Sequence, residues 1–228
     1  MGALWVVPCR FDPDRPVIFE CIEAIQRYHD NPKILVVDSA SPDRSYFDWL
    51  TDRDVRVAAI NNTGYGTGAH AWGYRQNPDA DYFYMMFDSL IVQSNCDEFQ
   101  DRPVTVVRHW HNSQHDWGWD EGVPEWPHLS IWGGEQLDRM GVPRTDNYHG
   151  IMGPMMFLQG SVAKKLDEIG YWDTQVTSRF LQCGMERVAG ITLEHLGHDV
   201  TQSLQGTHTV HTAAYDETYV KKLDLTRP

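Results

Sequence analysis

Four short apolar runs limit what this chain can fold into: Leu4 to Pro8, Lys33 to Val37, Val55 to Ile60 and Tyr82 to Phe87. Each has strand length, and helical signals separate them. Val17, Cys21, Ile22, Ile25 and Tyr28 recur at helical spacing and make one apolar face. Asp14-Arg15-Pro16 precedes them as a helix start, with Asp14 as candidate cap, and Asn31-Pro32 breaks the helix. Arg44 to Leu50 reads as a second short helix. A βαβαβαβ order implies a mostly parallel sheet with helices on both faces. Three of the four runs end in polar or acidic residues: Arg10 and Asp12, Asp38, and Asp88. Such ends lie along one edge of the sheet, where open α/β sheets bind their ligands.

The stretch from Asn61 to Val92 narrows the reading. It runs from the glycine-rich turn Asn61-Asn62-Thr63-Gly64-Tyr65-Gly66-Thr67-Gly68 through a helical segment to a strand that stops at Asp88-Ser89. Glycines let a phosphate or ribose approach the backbone, because no Cβ stands in the way. The net charge of −13 argues against general adhesion to nucleic acid or anionic membrane, since phosphate binding rests on clustered cations. A local basic pocket remains compatible with that total, because charges beyond roughly 8 Å are screened at physiological salt. Cys9, Cys21, Cys96 and Cys183 form no C-x-x-C pair and fit reduced thiols, hence a cytoplasmic setting. No signal-peptide pattern opens the chain. No apolar run approaches the roughly 20 residues of a membrane-spanning helix.

The second half is less regular. Pro103 to Arg108 and Ile151 to Leu158 read as strands. Ser161 to Ile169 reads as a helix closed by Gly170, and Val176 to Ala189 as another. Trp110 to Trp132 has no period and is dense in Trp, His, Gly and Pro, as a functional loop is. No linker forces a boundary, so one domain over residues 1–228 is expected.

Four segments, in order, resemble the family-2-like glycosyltransferases with a GT-A fold. Val6-Val7-Pro8-Cys9-Arg10 stands where that family begins its nucleotide pocket. Val36-Val37-Asp38-Ser39-Ala40-Ser41-Pro42-Asp43 is similar to its V-V-D-D-G-S-x-D. Asn61 to Ala69 is similar to its N-x-G-x-G-x-A turn, and Asp81 to Ser89 to its D-Y-I-x-F-L-D-S-D. Gly160 to Asp173 is a looser match to a helix followed by G-x-F-D. The resemblance implies a Rossmann-like, mostly parallel central sheet flanked by helices, with an irregular Trp-rich region on the acceptor side. It also implies transfer of a sugar from a nucleotide-diphosphate sugar, such as a UDP-sugar, to a hydroxyl acceptor with inversion. By the same resemblance residues 1–100 would be a nucleotide-binding half, and residues 101–228 an acceptor-binding half with the C-terminal tail.

On that resemblance Pro8, Arg10, Asp38, Asn61, Asn62, Gly66, Asp88 and Ser89 would hold the nucleotide sugar. Asp38, in particular, would accept hydrogen bonds from base or ribose; as an ordinary residue it is an Asx-turn before Pro42. The general base is expected at Glu186, or failing that Asp173, since a positioned carboxylate contributes about 10²- to 10⁴-fold in rate. The ordinary reading of Glu186-Arg187 is a surface ion pair worth roughly 0 to 1 kcal/mol. The family's D-x-D holds a divalent cation, Mn²⁺ or Mg²⁺, but here Leu90 replaces the second acid. The metal-ligand candidates are therefore Asp88, His208 and His211, with Lys221, Lys222 and Arg227 as further tail donors toward the phosphates. Trp117, Trp119 and Trp132 are candidates for the acceptor wall, because an aromatic face suits the C–H face of a sugar.

Three competing readings follow. A sugar-phosphate nucleotidyltransferase would open with a basic glycine-rich loop, and Arg10-Phe11-Asp12-Pro13-Asp14 contains no glycine. A carbohydrate-binding protein on a degenerate transferase scaffold accommodates both Leu90 and the abundant Trp. A glycosyltransferase acting on modified DNA runs against the acidic balance.

Overall fold

The computed structural model describes residues 2–60, 64–111, 126–207 and 216–223. Its centre is a six-stranded sheet in the order β3-β2-β1-β4-β9-β6. The strands β1 (Ala3–Cys9), β2 (Lys33–Ser39), β3 (Arg56–Ile60) and β4 (Tyr82–Met85) run parallel. From the second half, β9 (Met156–Gln159) pairs antiparallel with β4, and β6 (Val104–Val106) pairs antiparallel with β9. The two halves of the chain therefore share one sheet.

Side chains alternate along these strands and so sort into two cores. Leu4, Val6, Leu35, Val37, Phe83 and Met85 face one side. There they meet α3 (Tyr65–Gln76), α5 (Gly160–Glu168) and α6 (Arg179–His195). Trp5, Val7, Ile34, Val36, Tyr82 and Tyr84 face the other side, against α1 (Val17–Tyr28) and α2 (Tyr46–Thr51). Both faces are covered, as parallel sheets require. The expected mostly parallel α/β architecture is thus the one found.

Several local expectations need correction. Asp14 does not cap α1, which starts at Val17 after Pro16 without a side-chain cap; Asp12 instead accepts the Asp14 N–H at 3.0 Å. The run Ile151 to Leu158 is two strands, β8 (His149–Ile151) and β9, because Gly153-Pro154 turns the chain between them. The aperiodic stretch holds regular structure at both ends. There β7 (His109–His111) pairs with β8, and α4 (Trp126–Arg139) begins at Trp126. The last helix starts later than expected, at Arg179, because Ser178 caps it by accepting the Leu181 N–H at 3.1 Å. Part of the tail is a strand, β10 (Val220–Lys222), antiparallel to β5 (Leu90–Val92). Helix α6 crosses β8 closely, and Gly190 permits this: a Cβ there would overlap the His149 carbonyl oxygen.

Candidate functional site

Just beyond the C-terminal end of β4 lies a cavity of about 300 Å³. The β4–β5 turn supplies Phe87, Ser89 and Leu90 to its wall, and β7 supplies Trp110. Helix α6 supplies Arg179, Gln182, Cys183, Glu186 and Arg187. These five recur at i, i+3, i+4, i+7 and i+8, so they form one face of the helix. The opposite face, with Met185, Val188 and Ala189, is buried in the core. A polar stripe that would normally meet water here meets a cavity. Arg108 and Lys222 add further cations, and Met152, Gly153, Met155 and Gln205 complete the lining.

A larger groove of about 670 Å³ lies at the other end of the strands, beside Gly2, Lys33 and Arg56. That is the amino end of the parallel strands, where α/β sheets do not place their chemistry. The smaller cavity is therefore the candidate site.

Among the described residues that line it, Glu186 is the one carboxylate. Oε1 accepts the Gly153 N–H at 2.9 Å. Burial pushes the carboxyl up to about 7, against the opposing pull of the Gly153 N–H, Arg187, the Trp110 indole and Lys222. A carboxyl with that midpoint exchanges protons at neutral pH, as a general base must. Four cations share the lining with it. Arg108 is 6% exposed, and its Nε and Nη2 donate to Gln205 Oε1 at 3.1 and 2.6 Å. Gln205 Nε2 in turn donates to the Val220 carbonyl at 2.8 Å, which ties Arg108 to β10. The Arg187 guanidinium sits 5.1 Å from the Trp110 ring centroid.

The expected nucleotide residues divide. Asp38 and Asp88 converge at the ends of β2 and β4 around Cys9, at the end of β1. Asp38 is 0% exposed and accepts from the Tyr46 hydroxyl at 2.7 Å and the Ser41 N–H at 3.3 Å. It thereby organises the loop that follows β2, in which Ala40 has φ +59°. Asp88 lies in the turn after β4. Burial raises its carboxyl to about 6, and the Cys9 thiol and the Ser89 N–H oppose that rise. Burial and Asp88 together push the Cys9 thiol upward, so it stays protonated as a donor. Pro8 is buried within β1, and Arg10 is exposed just past its end. Ser89 lines the cavity. Gly66 packs on the Phe87 ring so closely that a Cβ would overlap it. Asn61 and Asn62 lie outside the described residues, as do Trp117, Trp119, His208, His211 and Arg227.

The two candidate bases are separated. Asp173 has a side chain 65% exposed on the outer surface, paired with Arg75 at 2.5 Å, and it is not among the cavity's lining residues. Trp132, on α4, packs against the core. Of the tail lysines, Lys222 reaches the cavity and Lys221, on the alternate side of β10, does not. Sequence reasoning missed Arg108, Arg179 and Gln182. The polar i, i+3, i+4, i+7, i+8 stripe of α6 was their available signal. Arg108 had none, since its role depends on Gln205, 97 positions away.

The described residues do not fit a divalent cation. No group of three or more His, Cys, Asp or Glu among them is placed to hold one. Asp88 is not among the cavity's lining residues, and Leu90 is 1% exposed inside the β5–β10 ladder.

No protein-family model and no curated protein sequence matches the chain. Its fold does match solved structures. The crystal structure of S. aureus TarS 1–349 aligns with TM-score 0.50 at 13% identity, over 94% of this chain and 60% of that one. This is a GT-A-like fold. TarS 1–349 in complex with UDP aligns with the same TM-score, identity and coverage. The chain thus spans 60% of the length of these two TarS structures. Among the described residues no helix is long and apolar enough to cross a membrane.

Proposed function

We propose that the chain is a glycosyltransferase that moves a sugar from a nucleotide-diphosphate sugar to a hydroxyl acceptor, with Glu186 as general base and inversion at the anomeric carbon. The observation behind it is Glu186 itself: a desolvated carboxyl, raised to about 7, in a cation-lined cavity at the carboxyl end of the sheet. The likeness to a structure that holds UDP supports the donor class.

In this mechanism the Glu186 carboxylate takes the acceptor's hydroxyl proton while that oxygen attacks the anomeric carbon. The bond from that carbon to the diphosphate oxygen breaks, and the diphosphate leaves with the electron pair. Burial works for the reaction twice. It raises the affinity of Glu186 for the proton, and it strengthens the attraction between the departing anion and the surrounding cations.

The test is turnover of a panel of nucleotide sugars, with acceptor and without, comparing the unaltered chain with Glu186→Gln. Transfer that survives in Glu186→Gln removes Glu186 from the role. A second reading, a carbohydrate-binding protein without turnover, draws on the sealed Asp38 and the buried Leu90. It predicts sugar binding with neither hydrolysis nor transfer of any donor, with or without Mn²⁺.

A further inference from the structure

We propose that Arg108, Arg179, Arg187 and Lys222 grip the diphosphate of the donor directly, so that the leaving group is held without a divalent cation. This rests on the transferase reading above and deepens it.

The pairing of β5 with β10 is the first ground. Lys222 stands directly opposite Leu90 in antiparallel register, so the two side chains share a face of the ladder. Both line the cavity. Leu90 occupies the third position of the Asp88-Ser89-Leu90 triplet, where a metal-binding site would present its second acid. An alkyl group stands there instead, with an ammonium across from it.

Asp88 is the second ground. It is the remaining acid of the triplet, and its neighbours Phe87, Ser89 and Leu90 line the cavity while it does not. The triplet has thus lost one carboxylate, and the other is not among the cavity's lining residues.

The third ground is charge. The chain carries a net charge of −13, yet the described residues lining this cavity include four cations and one carboxylate. Like charges brought close together repel one another, and a bound polyanion relieves that repulsion. The cations come from separate parts of the chain: Arg108 after β6, Arg179 and Arg187 from α6, and Lys222 from β10. At least two are positioned before any ligand arrives. Arg108 is fixed by Gln205, and Arg187 lies over Trp110. Planar guanidinium groups match phosphate oxygens in pairs, and an ammonium adds a point charge. A diphosphate is the anion that the size and valence of this cluster suit.

Titration calorimetry with UDP and GDP, first in EDTA and then with Mn²⁺, tests the proposal. Dissociation constants should agree within roughly threefold under the two conditions. Inorganic pyrophosphate should compete with UDP, and uridine should not. Arg179 and Lys222 are exposed, so their alanine variants should keep the fold, which melting curves will verify. Each should weaken UDP binding in EDTA by about tenfold, the usual consequence of losing one charged hydrogen bond. Lys222→Arg should restore most of it. Binding that vanishes in EDTA and returns with Mn²⁺ overturns the proposal and leaves the transferase reading in place. So does EDTA-resistant binding that ignores both alanine variants. Failure of every nucleoside diphosphate to bind, with or without Mn²⁺, overturns the transferase reading and this inference together.

Discussion

Two carboxylate clusters lie near the carboxyl edge of the sheet, and they are built on opposite plans. Around Cys9, the acids Asp38 and Asp88 are met by a tyrosine hydroxyl, a thiol and backbone N–H groups, all on well-packed strand ends. Around Trp110, Glu186 faces a cavity and shares it with four cations. The first cluster holds the motifs that resemble a nucleotide pocket, yet its acids are engaged in holding the loops in shape. The second has no recognisable motif, yet its chemistry is available to a ligand. Asp38 here secures a loop, and in the proposed mechanism a helix face from the irregular half supplies the base.

Glu186→Gln gives the largest expected effect. It should reduce turnover by about 10²- to 10⁴-fold while donor binding changes little, read by steady-state rates and calorimetry. In the unaltered chain kcat/KM should rise with pH through a midpoint near 7, because the base acts only when ionised, and the variant should lose that rise. A flat profile would put proton transfer elsewhere and dissolve the contrast between the clusters.

Asp88→Asn tests the closed cluster. The folded carboxyl titrates near 6 and the free one near 3.8, so the folded state binds its proton more tightly. Ionised Asp88 therefore weighs against folding, fully above pH 6, progressively less down to pH 4, and not at all below that. The variant should be more stable at pH 8 by on the order of 3 kcal/mol, an advantage that vanishes in acid, measured by urea unfolding across pH. Equal stability at pH 8 would mean that Asp88 is better solvated than its surroundings indicate.

Tyr46→Phe removes the hydroxyl that donates to Asp38 and leaves a buried carboxylate short of a partner. A loss of about 2 kcal/mol is expected from denaturant unfolding. If donor affinity also fell by the same free energy, Asp38 would have a ligand-binding role beyond its loop. The smallest effect belongs to Ala40. Its φ of +59° lies in the left-handed region that favours glycine, and glycine is the residue the resembling motif carries there. Ala40→Gly should raise stability by about 1 kcal/mol, seen as a higher melting temperature.

Much of the scaffold was legible in the sequence. β1 and β2 each lie between two neighbouring strands and are covered on both faces, so they appear as unbroken apolar runs. The split between β8 and β9 was also written there, in Gly153-Pro154, but apolar residues on both sides hid it. The site was legible only in part. Glu186 and Lys222 were both singled out in the sequence, and both line the cavity. Arg108 was not singled out, since nothing local distinguishes an arginine at a strand end from one held by a glutamine 97 positions on. Asp38 and Asp173 illustrate the reverse: each has the right residue type, one sealed beneath Tyr46 and the other in an outer ion pair with Arg75.

What the sequence determined alone is the alternation of strands and helices in its first ninety-odd residues, and with it the parallel sheet. Those signals are local, carried by apolar spacing and by glycine and proline within a few positions of one another. Which acids meet solvent, and which cations gather about them, was settled by tertiary packing. Desolvation and charge pairing depend on groups far apart in the chain, and they come into being only when α6 and β10 close over the end of β4.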